Sequence, residues 1–137
     1  MAAIPFSGDA RMVLLAMAYL LVKHAVADFL LQTEFQRHGK GSYGALGGLT
    51  HGLTHIVSTA PVFWLLPPVP LAVAALLLAG EFAVHYHLDW TKEQLVRANG
   101  WTPKDTGFWW SLGLDQLMHG LTYVALIWLS CLSAAAA

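Results

Sequence analysis

Four apolar runs, at residues 11–32, 44–66, 70–90 and 108–131, dominate the chain. Each is close to the ~20 residues that an α-helix needs to cross the hydrocarbon of a bilayer. Backbone in hydrocarbon must satisfy its own hydrogen bonds, which leaves such runs little choice but helix. Composition agrees. Charged residues are 11% of the 137 and hydrophobic ones 57%, with a mean hydropathy of +0.56, where a soluble domain carries about 25% charge. A soluble domain this small could not hide so much apolar surface. The expectation is a single all-α domain over residues 1–137, an integral membrane protein folded as a four-helix transmembrane bundle.

The connections fit that plan. Pro67-Pro68-Val69-Pro70 is a stiff stop after the second run. Residues 33–43 are polar, contain Gly39 and Gly41, and read as a loop. The third helix is expected to extend past the membrane to residue 98, since Lys92, Glu93, Gln94, Leu95 and Arg97 still read as helical, and Asn99-Gly100 then stops it. Asp105 or Thr106 can cap the fourth. A cleaved leader is the alternative to the first span, because Arg11 precedes the run and Ala25-Val26-Ala27 mimics a cleavage site. Lys23 and His24 interrupt the run just before that site, and Asp9 cancels Arg11, so a span is expected.

Net charge is −1 with seven Lys and Arg, which leaves no basic footprint for nucleic acid. Cys131 is the single cysteine, which excludes an intramolecular disulfide and any multi-cysteine zinc motif. Basic residues are asymmetric. Arg37 and Lys40 lie in the first connection and Lys92, Arg97 and Lys104 in the third, while the second connection and the carboxyl end carry none. The positive-inside rule puts the first and third connections in the cytoplasm and both termini outside, with Arg11 alone opposing. Trp90, Trp109 and Trp110 at one set of helix ends, and Trp64 and Trp128 at the other, resemble two interfacial belts. Lys23, inside the first run, is expected to snorkel to the cytoplasmic headgroups.

Within these runs sit four pairs of metal-competent residues, His24/Asp28, His51/His55, His85/Asp89 and Asp115/His119. Residues four apart share a helix face, and ionisable groups in a membrane segment mark function by default. The pairs come late in runs one and three and early in runs two and four. With alternating helix direction and a rise of 1.5 Å per residue, all four fall within about 6–16 Å of the cytoplasmic helix ends. Eight ligands at one depth suffice for two metal ions. His and Asp suit Zn, Mn or Fe as divalent ions, without choosing between them. Any one pair alone reads equally as a buried hydrogen-bonded pair without metal.

Glu81 continues the His85/Asp89 stripe one turn deeper. It reads as a general base and proton carrier, a further ligand, or a protonated group bonded to a neighbouring helix. Lys92 either pairs with Asp89, meets an anionic substrate, or makes a routine surface pair. Gln32, Ser111 and Gln116 can orient ligands. Tyr123 reads as packing, His87 as interfacial, His38 as solvated, and the Gly44/Gly48/Gly52 repeat as close helix packing.

The strings His24-Ala-Val-Ala-Asp28-Phe-Leu-Leu-Gln32, His51-Gly-Leu-Thr-His55, His85-Tyr-His-Leu-Asp89-Trp-Thr-Lys92 and Asp115-Gln116-Leu-Met-His119 resemble the bacterial and phage membrane family catalogued as domain of unknown function 3307. The resemblance covers residues ~12–130. It implies a helical membrane protein of a bacterial inner membrane or of phage origin. A looser likeness to membrane-bound metal-dependent hydrolases rests on intramembrane His/Asp motifs and is analogy. The function expected is metal-dependent hydrolysis of a lipid-linked or amphipathic substrate, with membrane lipid as surroundings. A metal-ion or proton transporter, more natural if the chain forms a homo-oligomer, and a non-catalytic adaptor with a structural polar core stand as alternatives.

Reporter fusions test the orientation. Fusions at residues 40 and 100 should read cytoplasmic, and those at residue 68 and the carboxyl end external; a cytoplasmic reading at residue 68 rejects the arrangement.

Overall fold

The computed structural model describes residues 8–135. They form α1 (Gly8–Phe29), α2 (Glu34–Gly39), α3 (Leu46–Thr59), a 3-10 segment (Ala60–Trp64), α4 (Leu71–Asn99) and α5 (Thr106–Ala135), with no strand among the described residues. Three helices are long and apolar enough to cross a membrane: Ala10–Phe29, Leu71–Asn99 and Thr106–Ala135.

The second apolar run departs from the expected continuous helix. It turns to 3-10 geometry at Ala60 because Pro61 has no N–H to give to the preceding turn. The α-helical part spans about 21 Å, and the five 3-10 residues add about 10 Å at their longer rise. The first connection also departs from expectation. Thr33 and Gln36 form a reciprocal capping box: Gln36 N–H donates to Thr33 Oγ1 (3.3 Å) and Thr33 N–H to Gln36 Oε1 (3.0 Å). That Thr-x-x-Gln signature starts α2 where a loop was expected.

The other stops act as read. Gly100 takes the left-handed conformation (φ 64), and Trp101 N–H closes back on Val96 O at 3.1 Å, terminating α4. The Asp105 carboxylate accepts from Thr102 N–H (2.7 Å) and O–H (2.8 Å), which holds its carboxyl below the ordinary range. It closes the turn before α5 rather than reaching forward as a cap.

α1 packs on α3 and α5, α3 on α4, and α4 on α5, while α2 lies on α3. The α2–α3 contact depends on missing side chains. A Cβ on Gly39 would stand 2.6 Å from Gly47 Cα, and one on Gly47 would collide with Phe35 O. Gly48 and Gly52 face Tyr86 and Phe82 of α4, as the packing reading expects. Gly44 instead serves a turn (φ 76), its N–H bonded to Tyr86 Oη at 2.6 Å.

The molecule is apolar outside and carries a polar zone within. Leu14, Leu15, Leu21, Val22, Leu76, Leu117 and Leu121 are exposed, as are the rings of Trp64, Trp109, Trp110 and Trp128. The buried interior has two zones. Ala16, Leu20, Val62, Leu66, Leu126 and Ile127 form an apolar cluster at one end, with Cys131 packed against it. Toward the other end the buried side chains are mostly polar, from Lys23, Thr59 and Glu81 through the His and Asp residues to Lys40, with Ala27 and Tyr86 among them.

Lys23 corrects one expectation. It does not snorkel outward but is buried, its Nζ 3.1 Å from Glu81 Oε1, 3.3 Å from His55 O and over the Tyr123 ring. Thr59 O–H donates to the same Glu81 oxygen at 2.7 Å. In so apolar a setting the carboxylate one helix away is a nearer partner than the headgroups.

Removing one member of a buried ion pair strands the other. Lys23→Met should destabilise the protein by about 3–5 kcal/mol, and adding Glu81→Met should recover most of that loss. Unfolding in mixed micelles measures both; an additive double variant would show that the pair is not coupled.

Candidate metal centre

The i,i+4 spacing puts each of the four pairs on one inward face, and the antiparallel course of the helices sorts them into two layers. The deeper layer takes one histidine from each of α1, α3, α4 and α5: His24, His55, His85 and His119. Ring centroids are 5.0 Å apart for His24–His55, 3.9 Å for His55–His85, 4.3 Å for His85–His119 and 4.7 Å for His119–His24. The outer layer takes Asp28, His51, Asp89 and Asp115. All eight expected residues meet, and all are at least nine-tenths shielded at the side chain or residue level.

Close approach links the layers. Asp28 Oδ1 is 3.1 Å from His51 Nε2 and 3.2 Å from His55 Nε2. Asp89 Oδ2 is 3.3 Å from His85 Nε2, and His119 Nε2 is 3.5 Å from oxygens of both Asp89 and Asp115. These approaches lack hydrogen-bond geometry. His24 Nε2, His51 Nε2, both ring nitrogens of His55 and His85, His119 Nε2, and Oδ1 of Asp28, Asp89 and Asp115 have no hydrogen-bond partner. The atoms crowd together at ion-pair distance without making hydrogen bonds.

The outward-facing atoms of the same groups are held. Gln116 Nε2 donates to Asp28 Oδ2 (3.1 Å) and to Asp115 Oδ2 (3.2 Å), clipping α1 to α5. Lys40 Nζ lies 2.9 Å from Asp89 Oδ2 and 3.6 Å from Asp28 Oδ1. Tyr123 Oη is 2.9 Å from His24 Nδ1, and the Gln32 amide 3.3 Å from His51 Nδ1. A Tyr123 hydroxyl oxygen accepting from His24 Nδ1–H leaves the His24 Nε2 lone pair free, the usual outer support of a metal-ligating histidine, whereas the Gln32 amide N–H donates to His51 Nδ1.

Three groups of donors are each mutually within 4.8 Å: Asp28/His51/His55/His85, His24/His85/His119 and Asp89/Asp115/His119. These buried His and Asp groups could hold a metal. The first has the nitrogen-rich composition of a four-coordinate zinc site, and the last offers three ligands. Glu81 is in none of these groups.

Several supporting residues differ from the sequence reading. Tyr123 is more than packing, since it holds His24. Gln32 and Gln116 orient ligands as expected, but Ser111 O–H donates to Phe108 O and not to a ligand. Lys92 lies 3.5 Å from Glu93, the ion pair it makes, rather than pairing with Asp89. Lys40, read as a loop charge, is buried over the aspartates. The capping box at Thr33 was the signal that the chain folds back there and carries Lys40 inward. His87 and His38 are exposed, His87 touching Tyr43 Oη at 3.1 Å and His38 bonding its own helix.

No curated protein and no solved structure gives a significant match to this chain. The family model described as "Protein of unknown function (DUF3307)" matches residues 16–137. That match takes in all four His/Asp pairs and their Gln32, Lys40, Gln116 and Tyr123 supports, and the chain belongs to this family.

Proposed function

We propose that the chain is one integral membrane domain, a four-helix transmembrane bundle in which α3 with its 3-10 extension serves as the fourth spanning element. Its His/Asp core binds one or two divalent transition-metal ions, Zn, Mn or Fe, and hydrolyses an amphipathic or lipid-linked substrate. The cytoplasmic side carries the site and both termini face out. One observation carries the metal reading. Asp28, Asp89, Asp115, His24 and His51 each have one polar atom held by a neighbour and another that makes no hydrogen bond. A purely structural polar core would join those atoms in hydrogen bonds, whereas here they stand 3.1–3.5 Å apart without making them, and a buried polar group without a hydrogen bond is costly.

Asp28, His51, His55 and His85 would hold one ion, and Asp89, Asp115 and His119 a second. A bound divalent ion supplies Lewis-acid polarisation of the scissile group and activation of water near neutral pH. The chain's own residues do the rest. Gln116 keeps two carboxylates from the neighbouring helices α1 and α5 in register, and Lys40 lies beside the Asp28 carboxylate. Glu81 was expected to carry protons, but its contacts to Lys23 and Thr59 favour an anchoring role below the histidine layer.

Catalysis is favoured over transport by what lies beneath the site. The Ala16, Leu20, Val62, Leu66, Leu126 and Ile127 cluster fills much of the centre on the far side, where the one buried polar side chain of α5, Ser130, is spent on Leu126 O. The basic end supports the orientation, because Arg37, Lys40, Lys92, Arg97 and Lys104 gather where α1 ends and α5 begins.

Purified protein should contain one or two transition-metal ions per chain by elemental analysis. Asp28→Ala with His119→Ala should abolish this, and full occupancy in that double variant would sink the site. Chelation should lower thermal stability, because ligands from four helices lose their common cross-link.

Gln116→Ala should weaken metal affinity by about 10–100-fold in a chelator competition while all eight ligands remain. Unchanged affinity would make Gln116 a bystander. Offering ester, phosphoester and amide amphiphiles to metal-loaded protein tests the hydrolase; no turnover together with metal flux into proteoliposomes would favour transport.

A further inference from the structure

A cavity of about 520 Å³ opens onto the Asp28 edge of the core, where α1 ends, α2 crosses, and α4 and α5 meet. That volume suits a small organic ligand. Arg37, Lys40, Lys92 and Arg97 line it, against the carboxylates of Asp28, Glu34 and Glu93. Those carboxylates are engaged. Glu34 pairs with Arg37, Glu93 with Lys92, and Asp28 with Gln116 and the core.

Arg97 is different, because it has no carboxylate partner among the described residues. Its Nη1 donates to Gly41 O at 3.0 Å, a carbonyl that Gln94 Nε2 also holds at 2.9 Å. A Cβ on Gly41 would collide with the guanidinium, so this glycine lets Arg97 lie against the loop backbone. One carbonyl uses a single donor and leaves the rest of the guanidinium fork for a ligand. Lys92 stands between this cavity and a smaller cleft that reaches Asp115, and so overlooks the outer layer of the core. The remaining wall is apolar, with Phe29, Phe108 and Leu112, and Phe29 is largely exposed on the outer surface.

We infer that this cavity receives the phosphate group of an amphipathic substrate, with Arg97 and Lys92 as its phosphate-binding residues and Phe29 beside its apolar chain. A planar guanidinium and an ammonium with more donors than Glu93 uses suit a group with several oxygens of differing direction. A cavity with one charged and one apolar wall, open at the end of membrane-length helices, fits a molecule that carries both features. The inference rests on the metal-hydrolase reading for the fate of that phosphate group, and on the cavity alone for its binding.

The test uses the full chain in nanodiscs, both as purified and after chelation, with dioleoyl phosphatidate as the probe. Inorganic phosphate and oleate serve as competitors. Arg97→Gln and Lys92→Gln should each weaken phosphatidate binding at least tenfold, with Arg97→Lys intermediate, while helix content and metal content stay as in the parent. Parent-like affinity in both Gln variants overturns the inference, as does displacement by oleate as effective as by phosphatidate itself. Binding of inorganic phosphate with no preference for the lipid overturns the amphiphile. A protein that holds no metal yet binds phosphatidate through Arg97 and Lys92 removes the hydrolase reading and supports this one.

Discussion

A polar atom taken from water and given no partner costs a few kcal/mol in an apolar interior, and ten such atoms from eight residues converge at the centre of this protein. So dense a set of buried donors could hold a metal cation, and the rest of the structure is disposed around it. The helices supply the apolar exterior that keeps water from the inner atoms. Gln116, Lys40, Tyr123 and Gln32 supply the outer contacts that stop those atoms from turning away. The donor set is therefore held in its converging form by groups that are not themselves donors to a metal.

Two other features depend on the same electrostatics. The Lys23–Glu81 pair places a compensated ion pair between the histidine layer and the apolar cluster, so polarity falls off in steps along the axis. At the opposite end, Lys40 can reach the aspartates only because α2 lies flat on α3, and that contact exists only because Gly39 and Gly47 present bare backbone to each other. A short helix outside the apolar runs thus sets the charge balance inside them. The same fold-back forms one wall of the cavity above the site.

Much of this was legible before any coordinates. The four i,i+4 pairs, their common depth and the stops at Pro67 and Gly100 follow from helix periodicity and from turn chemistry, both local properties. The errors also have local causes. Pro61 lies inside the second run without shortening its apolar length, and it ends the α-helix there. The Thr33/Gln36 box was present in a stretch read as irregular, because Gly39 and Gly41 suggested a loop. Lys23 and Lys40 were assigned by the ordinary preference of a lysine for water or headgroups. That preference reverses when a carboxylate on another helix comes within 3 Å or so, a distance that no one-dimensional pattern contains.

The sequence by itself determined that this chain makes long apolar helices carrying His and Asp on one face of each, because apolar run length and four-residue spacing act within a single helix. Only the tertiary structure decided that the eight residues form two layers, that their outer atoms are held and their inner atoms bare, and that Arg97 rather than Arg37 is left without a carboxylate. Those outcomes depend on which side chain of one helix reaches which atom of another. Direction and distance across the interior are set by packing, and packing is a property of all the helices together.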